Sequence, residues 1–106
     1  MSEPVGGTPL PELDALVHAP LRLAAMTLLS QVESAEFTWL KTRLRCSDGN
    51  LSAHLSKLEA AGYISVAKGF VERKPRSDYR LTASGRAAYV AYLAALRALL
   101  GPGASG

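Results

Sequence analysis

Apolar positions along the chain fall first into helical spacing and later into alternation. Leu13, Leu16 and Val17 share one side of a short predicted helix over Leu10 to His18. Pro20 suits the first turn of a second helix, which runs to about Val32 and carries Leu21, Leu28, Leu29 and Val32 at helical spacing. A third covers about Thr38 to Leu44, with Phe37, Leu40 and Leu44 turned inward. Arg45, Cys46 and Ser47 make a tight connection to a fourth helix, capped by Asp48 and running to Ala61. There Leu51, Leu55 and Leu58 form one buried stripe at i, i+4 and i+7, and Gly62 ends the helix.

The period then changes. Tyr63 to Val71 is rich in β-forming residues, with Ile64 and Val66 alternating. Glu72 to Ser77 is charged and holds Pro75, which predicts a loop, and Asp78 to Leu81 returns as a second strand. Thr82 caps a last helix from about Ala83 to Leu100. Residues 1–9 and 101–106 read as flexible tails around one domain over 10–100. The predicted fold is mainly α with a small β-hairpin (α+β). Two short helices on a three-residue turn, followed at once by a hairpin, describe a winged helix–turn–helix.

Charge sharpens this reading. The chain has 106 residues and a formal net charge of +3. Residues 36–80 contain nine basic and five acidic side chains, so the positive field is concentrated in the middle. In the fourth helix, the faces left over by the leucine stripe present Asp48, Asn50, Ser52, Ala53, Ser56 and Lys57, with His54 beside them. Short hydrogen-bonding side chains suit a helix that approaches base edges and phosphates closely. An ordinary solvated face would carry more Glu and Lys. Arg73, Lys74 and Arg76 cluster around Pro75, flanked by Lys68 and Arg80, which suits a hairpin tip lying on a phosphate backbone.

The runs Phe37-Thr38-Trp39-Leu40, Ser47-Asp48-Gly49-Asn50-Leu51-Ser52-Ala53-His54-Leu55 and Leu58-Glu59-Ala60-Ala61-Gly62-Tyr63-Ile64 resemble the small winged-helix transcriptional regulators related to MarR and ArsR. Arg73 to Ser77 and Leu81-Thr82-Ala83-Ser84-Gly85-Arg86 extend the likeness, which spans about residues 13–98. The resemblance implies that residues 48–61 are the recognition helix and residues 71–77 the wing. It also implies a homodimer acting on promoter DNA. Trp39 departs from that pattern, standing where a polar residue is expected.

Dimerisation has its own support in the sequence. From Ala87 to Leu100 the only charged residue is Arg97. Tyr89, Leu93, Leu96 and Leu100 make one stripe, with Tyr92 and Leu99 on an adjacent one. A helix apolar nearly all round must be buried nearly all round, which predicts a second subunit packed there, with Leu13, Leu16 and Val17 assisting.

Other functions find little in the residues. A single cysteine, Cys46, excludes an internal disulfide and a cysteine-rich zinc site, and His18 and His54 form no ligand pair with it. No metal or cofactor is expected, and no glycine loop, acid–base pair or activated nucleophile suggests an enzyme. The apolar run is too short to span a bilayer, so a cytoplasmic protein is expected. A small-molecule effector stays open, with Trp39 or Tyr89 bordering its site. The rival reading is a winged helix that binds an acidic protein partner instead of DNA. RNA is a third, less suited to a helix that needs a wide major groove.

Overall fold

The computed structural model describes residues 12–101, and the expectations for residues 1–9, Leu10 and residues 102–106 lie outside them. The elements follow in the order α1 (Pro20–Ser30), β1 (Ala35–Glu36), α2 (Phe37–Leu44), α3 (Asp48–Ala60), β2 (Ile64–Val71), β3 (Lys74–Leu81) and α4 (Ala83–Leu100). The strands form one antiparallel sheet in the order β1-β3-β2. Four helices and a small three-stranded sheet make a winged helix. Its core joins Val17, Met26, Leu29, Leu40, Leu51, Leu55, Leu58, Ile64, Tyr79 and Tyr92.

Among the described residues, the helix predicted over Leu10 to His18 does not form. Residues 15–17 make a single turn that leads into α1. The Asp14 carboxylate accepts hydrogen bonds from the Leu16 N–H at 2.9 Å and the Val17 N–H at 3.4 Å, offering the backbone an alternative to a helical ladder. Pro20 then disfavours helical torsions at Ala19, which is extended at φ −146°, ψ 127°. The segment is a strap: Val17 is buried, while Leu13 and Leu16 are half-buried against the core.

At the start of α3 the cap is Ser47, one residue earlier than expected. Its hydroxyl accepts from the Asn50 N–H at 3.1 Å. Asp48 is instead the first helical residue, paired with Lys41 of α2 at 2.8 Å. Arg45 closes α2 in the left-handed region at φ 54°, ψ 51°, which tightens the helix–turn–helix corner.

The hairpin is longer and its turn shorter than the sequence suggested. Only Glu72 and Arg73 lie between the strands, both at positive φ (51° and 67°), as a type I′ turn requires. The expected loop therefore belongs to β3. Pro75 is tolerated there because its partner is Phe70, the pair next to the closing Val71–Lys74 pair. Alternate pairs in an antiparallel ladder exchange no hydrogen bonds, and β1 reaches only Asp78 and Tyr79, so no bond is lost to the missing N–H. The two-residue β1 was not foreseen; it is too short to show a period.

One junction sets the angle between α3 and the hairpin. Gly62 adopts φ +80°, its N–H bonds the Glu59 carbonyl and the Tyr63 N–H bonds the Leu58 carbonyl, both at 2.9 Å. Thr82 bridges this turn to α4. Its hydroxyl donates to the Gly62 carbonyl at 2.6 Å and accepts from the Gly85 N–H at 2.9 Å, while its own N–H bonds the Tyr63 carbonyl at 3.0 Å. The Tyr63 hydroxyl donates to Asp14 at 2.7 Å, tying the strap to the same place.

Two predictions follow from this junction. A Cβ on Gly85 would stand 2.7 Å from the Tyr63 carbonyl carbon and closer still to its oxygen. Gly85→Ala is expected to destabilise by about 2 kcal/mol despite the better helix propensity of Ala, seen as a lower melting temperature. The Tyr63 hydroxyl, with the Leu16 and Val17 amides, holds the Asp14 carboxyl below its ordinary value of 3.8. A lowered carboxylate pKa stabilises the fold above 3.8 and loses that contribution as pH falls through the lowered value. Melting temperatures of Asp14→Asn and the parent should therefore differ at neutral pH and converge in acid.

Candidate nucleic-acid interface

The leucine stripe of α3 points inward, with Leu51, Leu55 and Leu58 buried. That orientation leaves Asn50, Ser52, Ala53, Ser56 and Lys57 exposed on the opposite face. Their side chains make no hydrogen bond within the described residues, so this face is unoccupied by intramolecular work. Asp48 is exposed as well, but its carboxylate is engaged by Lys41, which neutralises it at the end of α3 nearest α2.

His54 differs from its neighbours. It is half-buried at the flank of α3, and its Nδ1 lies 3.0 Å from Nη1 of Arg22. A guanidinium only donates, so Nδ1 is the acceptor and the ring is neutral. Burial, with the charges of Arg22 and Lys57, pushes the imidazole below its ordinary pKa. Arg22 also donates through Nε to the Leu16 carbonyl at 2.6 Å. His54 thus anchors α3 to α1 and the strap, and its Nδ1 is not free to read a base edge.

On the hairpin, Lys68, Arg73, Lys74, Arg76 and Arg80 are all exposed. The register separates them. Lys74, Arg76 and Arg80 lie on the outer face of the ribbon with Asp78, whereas Lys68 lies on the face that carries Ile64 and Val66 toward the core. Arg73 sits in the turn itself. Arg76 donates from Nε and Nη2 to both oxygens of Asp78 at 2.9 to 3.2 Å, and this bond holds the Asp78 carboxyl below its usual range. Arg76 is therefore already partnered, while Arg73, Lys74, Lys68 and Arg80 have no acidic partner within salt-bridge distance among the described residues.

The helix–turn–helix corner adds cations that the charge tally included without assigning a place. Lys41 flanks the start of α3, and Arg45 is exposed in the turn. Trp39 is half-buried, and the guanidinium of Arg43 lies 4.4 Å from its ring centroid. Packing against the core and an arginine accounts for the tryptophan. Between α1 and α2 an open apolar groove is lined by Pro20, Leu23, Thr27, Leu28, Arg43 and Leu44. No group of three or more His, Cys, Asp or Glu among the described residues is placed to hold a metal ion.

The residues expected at a subunit interface divide between inside and outside. Tyr92 is buried, its hydroxyl 2.8 Å from Nδ1 of His18, and Tyr89 donates to Thr27 of α1 at 2.9 Å. Leu96 is half-buried on the same inward stripe. Leu93, Leu99 and Leu100 are exposed, and Val90, which the sequence reading passed over, joins them at 59% exposure. The outward set is therefore Val90, Leu93, Leu99 and Leu100, which keeps Leu93 and Leu100 of the stripe expected from the sequence, whereas Tyr89 and Leu96 of that stripe pack inward. No helix among the described residues is long and apolar enough to cross a membrane.

Comparison with known proteins agrees with this geometry. A protein of Methanocaldococcus jannaschii with no described function is 32% identical over 78 residues, which is 74% of this chain and 85% of that one. A solved structure described as a transcriptional regulator homologue from Pyrococcus horikoshii superposes with a TM-score of 0.75 at 28% identity, covering 80% of this chain and 84% of its own. A MarR-family regulator from Silicibacter pomeroyi gives a TM-score of 0.63 at 26% identity, over 81% of this chain and 57% of that one. Residues 21–100 match the family model described as a winged helix DNA-binding domain, and the chain belongs to that family.

Proposed function

We propose that the chain is a sequence-specific regulator of transcription that binds duplex DNA as a homodimer and represses by occupying promoter sites. The observation that carries this reading is the unengaged, charge-poor outer face of α3 set beside a basic hairpin. Asn50, Ser52, Ala53 and Ser56 enter the major groove and discriminate bases. Lys57, Arg73 and Lys74 neutralise phosphates and fix the register, and Arg76 joins them by exchanging Asp78 for phosphate. That exchange is cheap, because an ion pair exposed to water adds little stability.

The second subunit covers α4. Val90, Leu93, Leu99 and Leu100 leave an apolar patch at one end of the molecule that no described residue covers. A two-fold pairing of α4 would set two α3 helices on half-sites about one helical turn apart.

Three measurements test these roles. Titration against a random-sequence duplex pool at two salt concentrations should enrich a subset of sequences with salt-sensitive affinity; absence of binding at low salt would shift the reading to a protein partner. Arg73→Ala should weaken binding to all duplexes and lower the salt slope by about one phosphate's worth, about 0.9 in log–log units, whereas Ser52→Ala should leave the slope and blur discrimination. Leu93→Asp, at a position already 42% exposed, should keep the fold and convert a sedimenting dimer to monomer. A parent chain that sediments as a monomer at micromolar concentration removes the dimer from the proposal.

A further inference from the structure

The register of the hairpin places an apolar pair where its cations converge. On the core-facing side of the ribbon the residues run Ile64, Val66, Lys68, Phe70 along β2 and Leu81, Tyr79, Ser77, Pro75 along β3. Ile64 and Tyr79 are buried and Val66 is half-buried against the core. Past them the ribbon leaves the body of the molecule, and the same face continues into solvent. Phe70, six residues beyond Ile64 and so about 20 Å further along the strand, is 75% exposed, more than any other large hydrophobic side chain among the described residues. Pro75 is its cross-strand partner in a pair whose backbones exchange no hydrogen bonds, the arrangement that brings side chains closest.

The surroundings name the occupant. Lys68 stands on the same face two residues before Phe70, and Arg73 and Lys74 follow at and just past the turn. Residues 68–80 hold five basic and two acidic side chains. One of the acids, Asp78, is neutralised by Arg76, and the other, Glu72, sits in the turn beside Arg73. Two such wings would repel each other, so a second copy is not the partner of this tip. A polyanion with apolar surface between its charges is. The duplex minor groove offers stacked base edges between two phosphate rails, and apolar wedges, Phe and Pro among them, are a recurring means of entering it.

We propose that Phe70, backed by Pro75, is an apolar wedge that the wing presses into the minor groove and partly unstacks a base step, while Lys68, Arg73 and Lys74 hold the flanking phosphates. This rests on the DNA-binding reading above. It adds a source of selectivity that no hydrogen bond supplies: pyrimidine–purine steps unstack most easily, so sites with such a step under the wing are preferred. The rest of the hairpin is suited to deliver the wedge. A two-residue turn with both positions at positive φ leaves no slack at the tip, and Pro75 has one fewer free torsion to lose on binding.

The test uses a duplex enriched by the parent chain from a random pool, labelled at both ends for energy transfer. Phe70→Ala should bind about tenfold or more weakly, keep the salt slope of the parent because no charge is lost, and leave the duplex straighter. Phe70→Leu should retain most of the bend. Replacing the pyrimidine–purine step under the wing should cost the parent affinity and cost Phe70→Ala little. Unchanged affinity in Phe70→Ala, or weaker binding with the bend unchanged, overturns the wedge while leaving DNA binding in place. A parent chain that enriches no duplex at low salt fails at the earlier step and takes the wedge with it.

Discussion

The turn from α3 into β2 is the constraint on which the rest of the molecule depends. Four backbone carbonyls at the end of α3 and the start of β2, those of Leu58, Glu59, Gly62 and Tyr63, are bound by groups from Gly62, Tyr63 and Thr82, and a glycine of α4 packs directly on the Tyr63 backbone. In the proposed complex α3 and the hairpin both meet the duplex, and a fixed angle between them would let both engage at once. Rigid junctions of this kind confine the ordering cost of binding to side chains, since the backbone is already in place. The Asp14–Tyr63 hydrogen bond brings the strap before α1 into the same joint.

Charge is arranged with similar economy. Two of the four acidic side chains of α3 and the hairpin, Asp48 and Asp78, are each matched to a cation, Lys41 and Arg76, while Glu59 and Glu72 have no such pair among the described residues. Exposed pairs like these add little stability. Their effect is on the field: each removes a local negative charge without placing a new side chain on the reading face. What remains uncompensated on the hairpin is Lys68, Arg73, Lys74 and Arg80, two on the inner or turn side and two on the outer, so that the ribbon is basic on both faces.

Much of this was legible in the sequence where one periodicity dominated. The leucine triplet of α3 and its closing Gly62 located the helix and its buried face, because three large side chains at helical spacing admit one solution. The hairpin was found, but Pro75 and the charges around it suggested a loop. Charge and proline argue against a strand only if both edges must be paired, and here one edge beyond Asp78 is free. Leu10 to His18 carried a helical spacing too weak to compete with the Asp14 side chain and with Pro20. The orientation of α4 was only partly legible, for a different reason. Apolar residues lie on nearly every side of that helix, so the sequence contained no contrast to orient it, and only the hydroxyl partners of Tyr89 and Tyr92 decide which side faces in. His54 was read beside the outer face as a DNA-contacting residue, since its partner Arg22 is distant in sequence.

The division of α3 into two independent faces has a consequence for how such a protein diverges. Leu51, Leu55 and Leu58 hold the helix in place, and Asn50, Ser52, Ala53 and Ser56 hold nothing. Substitutions at the second set leave stability nearly untouched, since surface changes away from special features usually fall within about 0.5 kcal/mol. A gene duplicate can therefore drift to a new binding site one residue at a time, passing through intermediates that all fold. The scaffold stays under selection for stability while its vocabulary changes freely.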